Sequence, residues 1–525
     1  MPGQTQIAVP IMLGNIAADK QTAAAAVAMG ANLIEWRMDT ATPSAVEELF
    51  SDAVIRAIPW ILTVRPTWEG GHFGGDEAAR LRLIKCCLAY HPTYLDIELK
   101  AWVNDAALSE YFCSIDVRHR PKLILSSHHF NSRPADLRQI LGAIAAHPEA
   151  SVAKIAFQSS DIHDALDALE LYEPLKQYPG LQGVFIAMGE QGAISRTLAG
   201  KFGAAFTFAT LPGGVATATG QPTIAELIDV YRLPQQQPDW AVCGLVGWPV
   251  VQSVSPQMHN AAMKEMNFGG VYVRIPLPGD GAAFKSAVQR LQANRHLNLR
   301  GLSVTIPHKE NAYRFVTELG GVIEGRDAGV INTILFTDDS PPTGLNTDAP
   351  GGLQALLRGA GWREADLRGK YAAIIGAGGA AAGLAAALAA HGCQLIIFNR
   401  TLPRAERLAE QIRRGGGACR AKELSKLQIG DCDLIVQCTP VGMHPHADDM
   451  PIPESTDLRP STIVMDTIYN PRRTKLLQWA ASRGAVCVEG VEMLVGQGAL
   501  QFKGFTGFDP PIGTMHDAAI KALGI

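Results

Sequence analysis

Between Ile7 and Tyr231 the chain alternates short apolar runs with stretches whose apolar residues recur at helical spacing. Runs beginning near Ile7, Asn32, Trp60, Tyr94, Lys122, Val152, Gly183 and Ala205 read as strands, and segments such as 76–90, 134–147 and 224–231 read as helices between them. Parallel strands need crossover helices, and eight βα units in about 230 residues suggest an α/β fold with a closed parallel (β/α)8 barrel. An open doubly wound sheet shows the same alternation, so the count of eight carries the choice.

The pattern stops at 231–240, where Pro234, a glutamine run at 235–237 and Pro238 leave no apolar period. Proline lacks a backbone donor and fixes φ, so this stretch continues neither a helix nor a central strand. Residues 233–239 are expected to form a short, semi-stiff linker after a first domain at 1–232. From 240 to 345 the pattern is mixed, with apolar runs at 271–277, 301–309 and 329–333; from Asn346 a βαβ pattern begins.

The centre of that last region is a strand, Tyr371-Ala372-Ala373-Ile374-Ile375, leading into Gly376-Ala377-Gly378-Gly379-Ala380-Ala381. An alanine-rich helix follows to about His391, then a second strand at 394–398. The glycines let the backbone turn tightly and approach a pyrophosphate, whose charge suits the helix N-terminus; Ala381 takes the third position of the fingerprint. Any tight βα turn favours glycine, but strand, turn, helix and second strand come here in the order dinucleotide binding requires. The second strand ends in Asn399-Arg400-Thr401, with Arg404 one helical turn on. No carboxylate stands there to bond ribose hydroxyls, and two guanidiniums suit a 2′-phosphate, which favours NADP(H).

Composition narrows the class. The 525 residues are 47% hydrophobic with a formal net charge of −4, which implies several globular domains and no basic surface for nucleic acid or an anionic membrane. No apolar run reaches the roughly 18 residues of a membrane span. The start, Met1-Pro2-Gly3-Gln4-Thr5-Gln6, has neither a leader pattern nor an Arg/Ser-rich transit pattern. The nine cysteines are scattered without a Cys-x-x-Cys pair, so the expectation is a cytoplasmic protein with no metal site.

Polar residues gather where the barrel strands end: Glu35 and Arg37, Arg65, Asp96 and Glu98, His128, and Lys154. Singly, each could be a satisfied strand-end residue; as a set they converge on the mouth where barrel active sites are built. Lys154 lies among small and apolar neighbours in Ser151-Val152-Ala153-Lys154-Ile155-Ala156-Phe157. Burial there disfavours an ammonium and leaves an amine able to form a Schiff base. His128, with His129 beside it, can move protons near neutral pH. The pair suggests imine chemistry, by an aldolase or a dehydratase.

Glu35-Trp36-Arg37-Met38-Asp39, Thr63-Val64-Arg65 followed by Glu69-Gly70-Gly71, Ser127-His128, Val152-Ala153-Lys154-Ile155-Ala156 and Ile194-Ser195-Arg196 resemble type I 3-dehydroquinate dehydratase across the chain before the linker. The resemblance implies that Lys154 forms an imine with the ring ketone and that Glu69 orients His128. His128 then takes a proton from the adjacent carbon and returns one to the departing hydroxyl. It implies carboxylate binding by Arg196 and ring contacts from Glu35, Arg37, Arg65, Gln221 and Thr217, the last standing where the family often has serine.

After the linker, Ser253-Val254-Ser255-Pro256, Val304-Thr305-Ile306-Pro307-His308-Lys309, Ile331-Asn332-Thr333, Asn346-Thr347-Asp348, the glycine turn, Asn399-Arg400-Thr401 and Met493-Leu494-Val495-Gly496-Gln497 resemble shikimate dehydrogenase. That resemblance implies a catalytic pair, Lys309 and Asp348, reducing 3-dehydroshikimate to shikimate with NADPH. Ser253 and Ser255 would bind the carboxylate; Thr305, Asn332, Asp348, Tyr469 and Gln497 would hold the ring hydroxyls. Gly376, Ala377, Gly378, Gly379, Ala380, Asn399, Arg400, Thr401, Arg404 and Gly490 would contact the cofactor. A substrate domain at 240–345, completed by helices at 491–525, would then flank a Rossmann domain at 346–490. Ser303 in place of an asparagine, and Gln252 and Val254 where His and Lys are frequent, bear on substrate preference, quinate included.

The two halves together resemble a bifunctional 3-dehydroquinate dehydratase/shikimate dehydrogenase of aromatic amino acid biosynthesis, a monomer or homodimer acting on small molecules. The alternative is a non-catalytic, metabolite-sensing regulator of the same domains. It would need lost catalytic residues and a basic DNA-binding arm, and the sequence has neither.

Overall fold

The computed structural model describes residues 4–213, 220–324, 329–337 and 340–524. They pack as two compact units, one of Met1–Val251 with Gly269–Leu299 and one of Gln252–Phe268 with Arg300–Ile525.

The first unit holds eight parallel strands: β1 (Gln6–Met12), β2 (Leu33–Arg37), β3 (Trp60–Thr63), β4 (Tyr94–Glu98), β5 (Lys122–His129), β6 (Ala150–Gln158), β7 (Gln182–Met188) and β8 (Phe206–Phe208). Each expected run falls on one of them. They are laddered in chain order from β1 to β7, and β8 pairs with β1. Between β7 and β8 there is no ladder; they meet through Ala205 N–H donating to Gly183 O at 2.9 Å, so the barrel has a seam. β8 is only three residues long.

Strand alternation explains both floor and mouth. Side chains two apart share a face, and Leu33, Ile61, Tyr94, Ile124, Val152, Val184 and Phe206 meet in one buried apolar cluster. Two residues on, the same face carries Glu35, Thr63, Asp96, Ser126 and Lys154. Strands β2 to β6 therefore each place an apolar residue in the floor and a polar one two residues nearer the C-terminal end, whereas β7 and β8 keep Ile186 and Phe208 there.

The segment expected to be a linker is built into this unit. Leu233 and Gln236 are buried, and residues Leu233–Gln235 form a 3₁₀ turn. The Gln236 amide donates to the carbonyls of Thr197 (2.8 Å) and Tyr231 (3.0 Å), and its oxygen accepts from Lys201 N (2.9 Å). Lys201 Nζ donates to the carbonyls of Pro238 and Trp240, both at 2.6 Å. The glutamine and lysine supply partners that flanking prolines cannot, so the segment is anchored and is no free spacer. The unit continues into β9 (Ala241–Gly247) and β10 (Gly270–Pro276), which pair in parallel.

In the second unit β11 (Leu299–Val304), β12 (Val322–Glu324), β13 (Thr333–Thr337) and β14 (Ser340–Leu345) run in the order β11-β13-β14-β12, with β13 antiparallel to both neighbours. A six-stranded parallel sheet follows: β15 (Tyr371–Ile375), β16 (Gln394–Asn399), β17 (Ala418–Glu423), β18 (Leu434–Gln437), β19 (Ile463–Asp466) and β20 (Val486–Val488). Its order, β17-β16-β15-β18-β19-β20, reverses direction at β15, the strand that feeds the glycine turn. Such a switch point leaves a crevice at the strand ends.

The helix Gly490–Thr506 ties this unit together. A Cβ on Gly351 would lie 2.4 Å from Gln497 N, one on Gly496 would lie 2.5 Å from Gly351 O, and one on Gly498 would meet the Met258 methyl at 2.2 Å. Helix Gly490–Thr506 thus packs almost backbone to backbone on helix Asp348–Ala360 and closely on helix Ser255–Glu265. Gly351→Ala should overpack this contact and cost about 1–3 kcal/mol. A lowered midpoint in urea unfolding of the second unit is the expected result; an unchanged midpoint would show that the helices part without penalty.

Candidate active sites

At the barrel mouth a solvent-open cleft of about 620 Å³ is lined by Glu35, Arg37, Arg65, Glu69, His128, Lys154, Arg196 and Gln221. Thr217 lies outside the described residues. Lys154 Nζ donates to Asp96 Oδ2 at 2.8 Å and stands 3.7 Å from Glu35 Oε1 and 4.8 Å from the Phe208 ring centre. Its chain neighbours are apolar, but its tip is not in apolar surroundings, because the facing strands β2 and β4 bring carboxylates to it. The expectation of a lysine buried without partners is corrected accordingly.

Arg65 binds the acids together: Nη2 donates to Asp96 Oδ1 (2.8 Å), and Nη1 to Glu98 Oε1 (2.6 Å) and Ser126 Oγ (2.9 Å). Glu98 also accepts from Arg80 Nη1, a guanidinium only 1% exposed beneath the site. Burial opposes the Asp96 charge, yet Arg65 and Lys154 together hold that carboxyl well below its ordinary range.

Glu69 reaches the site because Gly70 (φ 75°) and Gly71 let the chain double back after β3; a Cβ on Gly71 would lie 2.0 Å from Arg65 O. Glu69 Oε1 accepts the backbone N–H of His128 (2.9 Å) and lies 2.8 Å from its ring Nδ1. With Nδ1–H donating to this oxygen, the imidazole keeps a lone pair on Nε2. Burial pushes the Glu69 carboxyl up to about 8, and burial with Arg65 and Lys154 nearby pushes His128 well below its usual value. Alternation on β5 separates the two histidines: His128 shares the inner face with Ser126, while His129 Nε2 pairs with Ser127 Oγ at 2.9 Å.

Arg196, 3% exposed, has no ion-pair partner among the described residues, and its Nη1 has no hydrogen-bond partner. Burial lowers it to about 10. A buried guanidinium without a counter-ion is a site prepared for an anion. Arg37 is paired with Asp39, whose second oxygen accepts Arg65 N at 2.9 Å.

In the second unit Lys309 Nζ contacts Asp348 Oδ2 at 2.5 Å, the side chains being 32% and 25% exposed. Asn332 Nδ2 donates to Asp348 Oδ1 (2.9 Å) and Thr347 Oγ1 (3.0 Å), and its oxygen accepts Thr347 N (2.9 Å). Gln501 Nε2 donates to Asn332 O at 3.2 Å and Oε1 accepts from Ser303 Oγ at 2.7 Å, so Ser303 is part of the supporting network. Gln497 is brought beside helix Asp348–Ala360 by the Gly351 contact. Ser253 and Ser255 bond each other at 3.1 Å at the start of helix Ser255–Glu265. Thr305 follows β11, and Tyr469, 36% exposed, follows β19; neither side chain has a bond to the Lys309–Asp348 pair among the described residues.

The glycine turn leads from β15 into helix Gly379–Ala390. Gly376 takes φ 113°, with Thr439 and Cys438 within about van der Waals reach of any Cβ, while a Cβ on Gly378 or Gly379 would meet nothing within 4 Å. That open space at a helix N-terminus fits a pyrophosphate. Arg400 and Arg404 are exposed and have no ion-pair partner among the described residues; Asn399 Nδ2 donates to Thr401 O at 2.9 Å. Gly490 differs from these: a Cβ there would lie 2.2 Å from Ile468 O, so its evident role is close packing.

Residues 7–238 match Type I 3-dehydroquinase, and 245–334, 360–473 and 490–520 match the shikimate dehydrogenase substrate binding domain, shikimate/quinate 5-dehydrogenase and the shikimate 5′-dehydrogenase C-terminal domain. An Arabidopsis thaliana protein named bifunctional 3-dehydroquinate dehydratase/shikimate dehydrogenase, chloroplastic, is 34% identical over 522 residues, 96% of this chain and 82% of that one. The chain belongs to this bifunctional family. It is a lyase and an oxidoreductase of the shikimate pathway, and the relationship lends no support to the regulator reading. The dehydrogenase half is also similar to a Methanopyrus kandleri shikimate dehydrogenase (NADP(+)), 40% identical over 54% of this chain and 96% of that one. A solved shikimate dehydrogenase in complex with NADP+ superposes with a TM-score of 0.50 at 35% identity, covering 55% of this chain and 98% of that one.

Several residues of the dehydratase cleft were not among the expected site residues: Asp39, Ser126, Arg80 and Phe208. Asp96 and Glu98 were placed at the mouth without a role. Their signal was parity, since both share the inner face with Tyr94; Arg80 had none, because a helical arginine reads as solvent-facing until its helix is docked.

The His128 geometry makes a testable claim. In a histidine ¹⁵N NMR titration His128 should show the Nδ1–H tautomer and stay neutral as pH falls past 6.5, protonating only well below it. A midpoint at or above 6.5 would contradict the assignment.

Proposed function

We propose that Lys154 carries the dehydratase chemistry and that Lys309 and Asp348 carry the reduction. Lys154 forms the imine with the ring ketone of 3-dehydroquinate. His128 Nε2 removes the proton from the adjacent carbon and returns one to the departing hydroxyl, while Glu69 holds the ring by Nδ1. Arg196 takes the substrate carboxylate; Glu35, Arg37, Arg65, Thr217 and Gln221 order the ring. The iminium supplies the electron withdrawal, so this half needs no metal. The observation that carries the reading is Arg196, a buried cation without a counter-ion, in the same cleft as Lys154 and His128.

In the dehydrogenase half NADPH, when bound, supplies the hydride. Lys309 gives a proton to the carbonyl oxygen, and Asp348, held by Asn332, keeps the ammonium in place. Ser253 and Ser255 receive the carboxylate, and Thr305, Asn332, Tyr469 and Gln497 receive the ring hydroxyls. The open space over Gly378 and Gly379 supports pyrophosphate binding there, between Gly376, Ala377 and Ala380, and the unpaired Arg400 and Arg404 support a 2′-phosphate beside Asn399 and Thr401. The reading extends to a cytoplasmic monomer or homodimer; among the described residues no helix is long and apolar enough to cross a membrane.

Incubation with 3-dehydroquinate and NADPH should yield shikimate. Lys309→Ala should halt that sequence at 3-dehydroshikimate, lowering kcat of reduction by about 100-fold or more with NADPH affinity retained. Loss confined to NADPH affinity would remove Lys309 from the chemistry.

A further inference from the structure

Asp96 is fully buried and has both oxygens engaged. Oδ2 accepts from Lys154 Nζ at 2.8 Å, and Oδ1 accepts from Arg65 Nη2 at 2.8 Å and Ser126 Oγ at 2.6 Å. The other carboxylate near this nitrogen, Glu35, is 3.7 Å away and already accepts from Thr63 Oγ1 at 2.9 Å. The remaining groups around the lysine tip are Arg65 on the β3 side, His128 on β5, Arg196 beyond β7 and the Phe208 ring on β8.

We propose that Asp96 is the counter-ion of the imine on Lys154, a catalytic residue that keeps the imine nitrogen protonated and fixes the plane of its C=N bond. This rests on Lys154 being the imine-forming residue. The step balances without Asp96 changing its charge. A lysine ammonium and a ketone give an iminium and water: C=N replaces C=O, two ammonium protons leave with the oxygen, and the nitrogen keeps one proton and the positive charge.

An ammonium offers three N–H bonds and can serve both acids; an iminium offers one, in the plane of the double bond. Asp96 is the nearer acceptor and is locked from behind by Arg65 and Ser126, so it retains that N–H. The retained bond sets rotation about the Cε–Nζ axis and hence which ring face meets His128. It also makes the N–H proton harder to lose, since a facing anion favours the charged form. Glu35, tied to Thr63, is left for the ring hydroxyls.

The test uses the full chain, 3-dehydroquinate and cyanoborohydride, which reduces an iminium but spares a neutral imine, with the adduct read by intact mass from about pH 5 to 9. The wild-type trapping rate should be level through neutral pH. Asp96→Asn should trap about 10-fold more slowly at neutral pH, recover as the pH falls, and dehydrate about 100-fold more slowly. Glu35→Gln should keep the wild-type pH dependence whatever it does to KM. A level profile in Asp96→Asn overturns the proposal, as does an acid-shifted profile in Glu35→Gln. Should Asp96→Asn fail to fold, Ser126→Ala decides: a smaller acid shift supports the proposal, and an unchanged profile overturns it. No adduct in the wild type at any pH, or one that persists in Lys154→Ala, sinks the imine reading itself and is thereby told apart from the wrong choice of counter-ion.

Discussion

The barrel site depends on the charge balance around Arg65. Isolated ions buried at this depth would each cost several kcal/mol, and they persist only because each finds an opposite partner with good geometry. Burial works against the Arg65 charge, but Asp96, Glu98, Glu69 and Glu35 around it raise its pKa and keep it ionised. Arg65, Arg80 and Lys154 are then matched by Asp96, Glu98 and Glu35, while Arg37 is matched by Asp39. Glu69 and His128 are both pushed toward neutrality, so neither adds a charge to this balance. What is left among the described residues of this cleft is Arg196, and its missing partner is the charge that a carboxylate substrate brings.

The dehydrogenase half repeats the device in a wetter setting. Lysine again meets aspartate, and the aspartate is again fixed from behind, by Asn332 where the barrel uses Arg65 and Ser126. The difference is exposure. Lys154 is buried and Lys309 about one-third exposed, which suits an amine that bonds its substrate in one case and one that exchanges a proton in the other. The position of Asp348 rests in turn on glycine: only without side chains at Gly351 and Gly496 can its helix meet helix Gly490–Thr506 at backbone distance.

Much of this was legible in the chain. Periods of two and of three to four residues place the eight barrel strands, and the order strand–turn–helix–strand places the nucleotide fold. Polar residues at strand ends, Glu35, Arg65, His128 and Lys154, announce the cleft. Three things were not legible, for physical reasons. The lysine's partners lie on other strands, so Lys154 reads as apolar until Asp96 is brought across. Residues 233–239 look like a spacer because prolines dominate local pattern, whereas Gln236 finds its partners some 39 residues back at Thr197. The seam between β7 and β8, where the Ala205–Gly183 hydrogen bond stands in place of a ladder, leaves no mark in the periodicity.

The central claim is that the balanced cluster delivers one particular amine to the substrate ketone. Peptide mapping after borohydride reduction in the presence of 3-dehydroquinate tests it most directly. The account predicts a single modified peptide, containing Lys154 and carrying the mass of one reduced ligand. An adduct on any other lysine, with Lys154 unmodified, would contradict it.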